Sequence, residues 1–395
     1  MAAAPSSTAT APSPAGSPDT QAGTAAGQQT PAAPSVVPFL RGSGKGKYKF
    51  FSKAGLTLTT ASQDLGPIDI KAYDYMRSIL VTLTTTTAGT ATAGTLAADG
   101  PFNAFTNIAV KQPNGQTMYQ TSSGHHSAMI QKHGYYRAHS DPRADPVFVW
   151  SSGSGTAPTM TFAFRIPFEL DLRDALGSLP NKDAAAPFSL ELSLNTLANV
   201  FPVSTTSPTF TVEAWLEAYD QPPTSLNGEQ VQTTPPNMNT LQRWTEQNIT
   251  MASGSFDARV RKLGNYVRGI IPILLNSSGV RDDSDWSDPV QIVLDEDVKD
   301  NISKADWYRR NWEIYGYGAA GSTVDEYTGG LSGRDTGVYP YGYFVDGRSP
   351  EENANLYLPT IESEDYLLRG QNWGSGASKI SCLVCEVLPQ GDIFS

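Results

Sequence analysis

Cysteine, histidine and charged residues are all scarce in this sequence. Its 395 residues include 2 cysteines and 4 histidines, and only 17% are charged. Two cysteines cannot form the disulfide framework on which small secreted domains depend. The longest apolar run, 269–275, contains Pro272 and falls far short of the roughly 20 apolar residues that a membrane-spanning helix needs. The sequence therefore argues against a disulfide-stapled scaffold and against a helical membrane protein.

Basic clusters and a secretory signal are also missing. Residues 1–38 show no basic segment followed by an apolar one, so we expect synthesis and folding in a reducing cytoplasm. The formal net charge is −11. Because neutralising phosphates needs clustered Lys and Arg, we expect no sequence-specific contact with nucleic acid.

The residues that are present favour strands and turns. Apolar residues make up 39%, and most of the remainder is Thr, Ser, Gly, Pro, Asn and Gln, which suit pleated surfaces and turns. Residues 210–219 alternate between apolar and polar, which predicts one buried face and one outer face. Predicted strands are 47–51, 56–60, 68–73, 78–86, 108–112, 147–150, 160–169, 188–194, 210–219, 248–252, 256–260, 267–275, 290–294, 311–315, 341–345, 355–359 and 379–388.

The chain is longer than one hydrophobic core usually supports, which predicts two domains. We place a disordered or extended N-terminal arm at 1–44, a first β-sandwich at 45–223, a Pro-rich linker at 224–240 and a second β-sandwich at 241–395. Short helices are predicted at 123–133, 171–179 and 303–310, and long surface loops at 316–347.

The two halves resemble each other in sequence. An ungapped alignment of 58–80 with 249–271, at an offset of 191 residues, gives seven identities in 23 positions. The identical pairs are Thr59/Thr250, Ala61/Ala252, Ser62/Ser253, Lys71/Lys262, Tyr75/Tyr266, Arg77/Arg268 and Ile79/Ile270. A duplicated sandwich explains the match, and the jelly roll is the common sandwich of this size in capsid proteins.

With its arm, its two β-rich halves and the segment FRIPFELDLRDALGSLPNK at 164–182, the chain resembles a known family. It is similar to the double jelly-roll major capsid proteins of tectivirus-like bacteriophages, which are tailless and have an internal membrane. The segment 164–182 is similar to a strand and short helix in the first jelly roll of these proteins.

The resemblance implies an all-β fold of two tandem jelly rolls and a homotrimer with a pseudo-hexagonal outline. Such trimers would tile an icosahedral virion shell by contacting neighbouring trimers and penton or minor capsid proteins. The N-terminal arm would lie on the inner side and contact an internal viral membrane. The implied role is structural, in the virion, with no enzymatic activity.

The arm ends in a cluster of apolar and basic residues. Val36 and Val37 precede a candidate inner-face anchor made of Phe39, Leu40, Arg41, Lys45 and Lys47. A segment as poor in apolar residues as 1–35 cannot offset the entropy of ordering on its own. We therefore expect either a flexible tail or an arm that becomes ordered on another surface.

Three clusters of residues have the composition of metal or redox sites. In each case the pattern favours a structural role. Cys382 and Cys385 have redox-motif spacing but lie in an apolar strand pattern, where residues three apart face opposite sides, so we expect buried thiols. All four histidines lie within 125–139 without a nearby carboxylate, which favours loop or interface histidines over a metal site. The acidic residues of 282–300 lack the spacing of a calcium loop and favour a solvated surface.

The sequence contains no nucleophile elbow, phosphate-binding loop, dinucleotide fingerprint or zinc-protease motif, so we predict no catalytic residue, metal or cofactor. An alternative is a phage fibre or lectin-like β-sandwich that binds or hydrolyses carbohydrate, with Trp and Tyr lining a sugar site. The other major phage capsid fold needs a long spine helix, which the pattern does not predict.

Overall fold

The computed structural model describes residues 35–389 apart from 92–96, 98, 135–140, 154–155, 171–174, 203, 228, 235, 237–239, 262–264, 316–334, 343–357, 359, 362 and 375–376. The elements up to residue 219 are β1 (Ser35–Val37), α1 (Phe39–Gly42), β2 (Lys45–Thr57), β3 (Gln63–Ile70), β4 (Tyr75–Thr87), β5 (Thr90–Ala91), β6 (Phe105–Lys111), β7 (Thr117–Thr121), α2 (Gly124–Gly134), β8 (Val149–Gly153), β9 (Thr156–Pro167), β10 (Leu179–Pro180), β11 (Phe188–Leu194), α3 (Leu197–Val200), β12 (Ser204–Thr206) and β13 (Thr209–Tyr219).

The remaining elements are β14 (Ser225–Leu226), β15 (Glu229–Thr233), β16 (Thr240–Met251), β17 (Gly254–Arg259), β18 (Tyr266–Leu275), β19 (Val290–Leu294), β20 (Asp297–Ile302), α4 (Lys304–Tyr315), β21 (Tyr341–Gly342), β22 (Tyr366–Asn372) and β23 (Ser378–Pro389). No helix in the described part of the chain is long and apolar enough to cross a membrane.

Strands β2 to β13 form what we call the N-terminal sandwich. One sheet has the order β2-β13-β4-β9, with β8 added at its far edge, and the facing sheet has the order β3-β11-β6-β7. Alternation along β13 fixes which side faces the core: Phe210, Val212, Ala214 and Leu216 are fully buried, as the sequence pattern predicted. The sandwich therefore closes over one apolar core.

Strands β16 to β23 form the C-terminal sandwich, with the orders β16-β23-β18-β21 and β17-β22-β19-β20. Strand for strand, these are the orders of the N-terminal sandwich, and each sandwich carries a helix, α2 or α4, between the fifth and sixth of its eight main strands. Eight strands in two such sheets are the jelly-roll arrangement. The predicted all-β fold of two tandem jelly rolls is confirmed.

The sequence repeat coincides with a repeated irregularity in the sheets. Tyr75 and Tyr266 are the first residues of β4 and β18. Two residues later, each strand skips a position against its neighbour, at Arg77 beside β13 and at Arg268 beside β23. A bulge re-aims the side chain that it displaces, and both arginines are buried. The identities Tyr75/Tyr266 and Arg77/Arg268 therefore mark structurally equivalent positions.

The two sandwiches share one continuous sheet. Strand β16 runs parallel to β7 and pairs with it at Trp244 and Tyr119, which joins the sheets into eight strands. Strands β18 and β23 are consequently buried on both faces. On β23, Cys382 packs in the C-terminal core and Cys385 packs in the core that spans the junction. Burial on both faces explains why these strands are continuous apolar runs instead of alternating ones.

Some predicted elements differ from the structure. The predicted strand at 311–315 is wrong, because these residues end helix α4. The predicted helix at 171–179 is wrong over its described part, where 175–178 form a turn before β10. Strands β7, β20 and β22 were not predicted, because their polar residues give weak apolar alternation. The helices predicted at 123–133 and 303–310 are present as α2 and α4.

A buried ion pair ties the bulge of β4 into the N-terminal core. The Arg77 guanidinium lies 2.9 Å from the Glu169 carboxylate, which is fully buried and also accepts a hydrogen bond from the Tyr219 hydroxyl. We predict that Arg77→Ala lowers the free energy of unfolding by about 3–5 kcal/mol, because it leaves a buried carboxylate without the guanidinium. Denaturant titration measures this change.

The matched control is Arg165→Ala, because Arg165 pairs with Glu217 at 3.2 Å and its side chain is 27% exposed. Partly solvated pairs contribute roughly 0–1 kcal/mol. An equal loss of stability in the two variants would contradict the prediction.

Candidate functional site

Helix α2 lies at the junction of the two sandwiches, and all eleven of its residues are buried. This burial is unusual, because the helix carries His125, His126, Lys132 and His133. Buried polar groups need partners, since an unpaired one costs free energy. The described partners come from both sandwiches, and Glu246 and Asp335 of the C-terminal sandwich make the helix a polar contact between the two domains.

One group of partners surrounds Lys132. Its ammonium lies 2.5 Å from Asp335 and 3.0 Å from Asp141. The Arg143 guanidinium contacts the same two carboxylates, at 3.0 Å and 2.7 Å, and His133 lies 3.4 Å from Asp335. Asp335 belongs to the segment before β21, so this network crosses from one sandwich to the other.

A second group surrounds His126 at the start of α2. The Nδ1 atom of His126 lies 2.9 Å from Glu246 of β16. The same carboxylate accepts hydrogen bonds from the backbone N–H and the hydroxyl of Ser122, both at 2.6 Å. Glu246 is therefore an acceptor that a strand of one sandwich supplies to the helix start of the other.

A third contact lies beside His125. Asp99 of the N-terminal sandwich accepts a hydrogen bond at 2.6 Å from Arg281, which precedes β19, and His125 lies 3.9 Å from the same carboxylate. Apolar packing completes the junction: Trp244 is buried, and a Cβ on Gly134 would come within 2.5 Å of its ring. Only glycine allows so close an approach.

The junction sets the protonation of its groups. Burial alone would lower the pKa of His126, but Glu246 and Asp99 raise it above its ordinary value. Burial would likewise raise the pKa of Glu246, yet His126 and Ser122 lower it to about 2. Burial lowers the pKa of His125 to about 3 and also lowers that of His133. The junction therefore favours the charged form of His126 beside Glu246 and the neutral forms of His125 and His133.

The sequence favoured loop or interface histidines, whereas His125, His126 and His133 lie on helix α2, and their partners were not predicted. Glu246 and Asp335 lie 120 and about 200 residues away from the helix along the chain, so no local pattern could indicate them. No group of three or more metal-ligating side chains occurs in the described ranges, and His139 lies outside them.

The five predicted anchor residues lie at one end of the N-terminal sandwich. Phe39 is 3% exposed and packs edge-on against Tyr75 and Tyr219, at 5.2 Å and 5.5 Å between ring centroids. Leu40 packs beside this cluster and Arg41 is exposed. Lys45 lies over the Tyr219 ring and Lys47 over the Trp215 ring.

Backbone hydrogen bonds also fix the end of the arm, residues 35–39, to residues 231–234. Strand β1 pairs in parallel with β15, whose residues belong to the predicted linker. The backbone N–H of Phe39 donates to the Thr234 hydroxyl at 3.0 Å. Residues 1–34 lie outside the described part of the chain.

The cysteines and the acidic segment behave as structural groups. Burial raises the pKa of Cys385 to about 12 and raises that of Cys382 further, which favours inert thiols. The carboxylates of 282–300 are engaged separately. For example, Asp283 accepts from the Tyr308 and Tyr339 hydroxyls, and Asp288 accepts from the backbone N–H of Lys304.

Comparisons with known proteins give fold neighbours without sequence relatives. No family model and no curated protein matches the chain. Among solved structures, the STIV MCP is 16% identical with a TM-score of 0.57 over 89% of this chain and 99% of that one. A chain of Sulfolobus Turreted Icosahedral Virus is 14% identical, with a TM-score of 0.57 over 87% and 91%. The fold is the double jelly roll.

A third double jelly roll is the PBCV-1 VP54 structure fitted into a reconstruction of the virophage Sputnik. It is 8% identical with a TM-score of 0.53, over 87% of this chain and 93% of that one. In each case the match covers both sandwiches, so the likeness extends to the tandem arrangement and not to a single jelly roll.

The raised pKa of His126 predicts a pH effect on stability. A histidine whose pKa is raised in the folded state stabilises the fold below its unfolded pKa of about 6.5 and loses that effect as pH rises through the folded value. We predict that the difference in unfolding free energy between the wild type and His126→Gln is larger at pH 6 than at pH 9. Chemical denaturation at a series of pH values measures it.

His125→Gln is the matched control, because the pKa of His125 is lowered instead of raised. The stability that neutral His125 provides is present above about pH 6.5 and is lost as pH falls towards its folded value. The two variants should therefore show opposite pH trends, and parallel trends would refute the assignment.

Proposed function

We propose that this chain is a major capsid protein that assembles as trimers into the shell of an icosahedral virus. The observation that carries the proposal is the match of both jelly rolls, in tandem, to the STIV MCP over 99% of that chain. Further support comes from the structures of Sulfolobus Turreted Icosahedral Virus and of the PBCV-1 virus capsid, whose chains share the fold. In this proposal the protein acts by self-association and not by catalysis.

Duplication gives the proposal its physical logic. Three chains of two similar sandwiches supply six similar units, which suit near-equivalent contacts with six neighbours in a shell. Closed rotational symmetry also prevents open-ended fibres. A trimer therefore uses the repeat better than a monomer does.

The carbohydrate-binding alternative finds no support in the tryptophans. A sugar site needs exposed aromatic rings, but four of the seven tryptophans are buried at 9% exposure or less. These four are Trp150, Trp244, Trp286 and Trp307. They serve as core and junction residues.

We further propose that the arm leaves the sandwich on the inner side of the shell, where it would contact an internal membrane. The support is the fixed end of the arm: Phe39 is buried between two tyrosines, and β1 is paired with β15. A segment anchored at one end loses less entropy when it orders on a second surface. Penton or minor capsid proteins would complete the shell.

Trimer formation is the first test. We expect the purified protein to run at three times the 42.4 kDa chain mass in light scattering, and to form shell-like particles by negative-stain microscopy under assembly conditions. A protein that stays monomeric across salt and pH would overturn the proposed function.

Deletion of residues 1–34 tests the arm separately. This variant keeps β1 and Phe39, so we expect folded trimers with the wild-type thermal midpoint but fewer closed shells. Particle yield by microscopy, measured beside the full chain, gives the comparison. Closed shells at the wild-type yield would show that the arm is dispensable.

A further inference from the structure

Within one chain, one edge strand of each sandwich pairs with the other sandwich. The equivalent edge strand of the opposite sandwich has no such partner in the described part of the chain. The fifth main strand of the N-terminal sandwich, β7, meets the first strand of the C-terminal sandwich, β16. Their counterparts are β20, which is the fifth strand of the C-terminal sandwich, and β2, which is the first strand of the N-terminal sandwich. In the described part of the chain, β2 and β20 are sheet edges with one neighbouring strand each.

The strand registers identify which residues of β2 correspond to those of β16. Because Tyr75 and Tyr266 are equivalent, their partners Tyr219 and Val387 are equivalent too. Counting back along β13 and β23, Glu217 matches Cys385 and Trp215 matches Leu383. Across the next ladder, Glu217 pairs with Lys47 and Trp215 with Lys49, while Cys385 pairs with Trp244 and Leu383 with Glu246. Lys47 of β2 is therefore equivalent in position to Trp244 of β16, and Lys49 is equivalent to Glu246.

The helix starts can be aligned in the same way. In α2, the backbone N–H of Ser127 donates to the Ser123 carbonyl, and in α4 that of Trp307 donates to the Ser303 carbonyl. One residue earlier, His126 and Asp306 are therefore counterparts. Within the chain, His126 faces Glu246 at 2.9 Å. The corresponding pair between two chains is Asp306 and Lys49, which have the charges exchanged.

We propose that β2 of one copy docks against β20 and the start of α4 of the next copy, with Lys49 facing Asp306. The partner is a second copy of this chain, and the inference rests on the proposed trimer. Each contact is heterologous, because different surfaces meet, and three such contacts close a ring. Around that ring, junctions within chains alternate with equivalent junctions between chains.

The charges of the two edges are complementary. Strand β2 contains Lys45, Lys47, Lys49 and Lys53 and no carboxylate. The segment 295–306 contains five carboxylates and two lysines. Facing potentials of opposite sign steer association and suppress wrong partners.

The exposure of these residues also fits an interface that forms between copies. The Lys49 side chain is 44% exposed and that of Asp306 is 52% exposed, whereas Glu246 and His126 at the filled junction are 4% and 8% exposed. Val298 on β20 is 47% exposed. A docked copy would cover this valine.

The present partners of the two side chains leave them available. Lys49 lies 3.0 Å from Glu213 of its own sheet. Asp306 lies 2.5 Å from Arg309 of its own helix and accepts a hydrogen bond from the Ser303 hydroxyl at 2.7 Å. Both ion pairs are between solvated groups, and such pairs contribute little. Exchanging them on docking therefore costs little free energy.

Charge reversal tests the pairing. We expect Lys49→Glu and Asp306→Lys each to raise the protein concentration at which trimers dissociate by about tenfold or more, because like charges then face each other. The double variant, Lys49→Glu with Asp306→Lys, should recover most of the loss. Sedimentation velocity over a dilution series measures the dissociation, and circular dichroism checks that each variant is folded.

Lys53→Glu is the matched control, since it makes the same change at an exposed site on β2 beyond the bulge at Phe50. It should dissociate at a concentration close to that of the wild type. Stable wild-type trimers that neither single reversal weakens would overturn this docking mode but leave the proposed function standing. A wild type without trimers would instead overturn the proposed function.

A crosslink provides a readout that does not depend on how Asp306→Lys affects its helix. Lys49→Cys combined with Asp306→Cys should give covalent dimers and trimers on a non-reducing gel after mild oxidation. The two native cysteines are fully buried and do not interfere. Only monomer bands from a trimeric sample would contradict the contact.

Discussion

The burial of helix α2 between the two sandwiches is the constraint on which the rest of the molecule depends. A helix with three histidines and a lysine cannot leave water unless its polar groups find partners. The C-terminal sandwich supplies Glu246 and Asp335 for this purpose, and its Arg281 pairs with Asp99 beside the helix. Because pulling the sandwiches apart would expose Trp244 and break these contacts together, the two domains form one unit. The tandem fold is thus held by a polar helix within an otherwise apolar junction.

Duplication explains both the similarity and the difference of the two halves. The bulge at Arg77 and Arg268 is kept, and both arginines stay buried, because it shapes the sheet of each sandwich. The first strands of the two sandwiches, β2 and β16, have instead diverged in sequence. At equivalent positions, β16 carries Trp244 and Glu246, which are buried within the chain, while β2 carries Lys47 and Lys49, which face solvent. An edge that is permanently covered tolerates a large apolar ring, whereas an edge exposed before assembly is protected from wrong pairing by lysines.

Local patterns were sufficient for much of the fold. The alternation of β13, the repeat that aligns Tyr75 with Tyr266 and the opposite facing of Cys382 and Cys385 were all predicted and are present. Local patterns were insufficient at the edges of the sheets. Strand β20 is rich in carboxylates and was interpreted only as an acidic surface, because a strand at a sheet edge can be exposed and need not alternate. Residues 311–315 were taken for a strand, since a short aromatic segment gives no clear period.

The sequence by itself determined the class of the fold: two β-rich halves, related by duplication, with buried thiols. These features depend on side-chain periodicity and composition, which are properties of neighbouring residues. Only the tertiary structure decided the partners of His126 and Lys132 and the strand edges that remain open. Such contacts join groups 120 or 203 residues apart, and their energies depend on burial that exists only after both sandwiches have folded and docked.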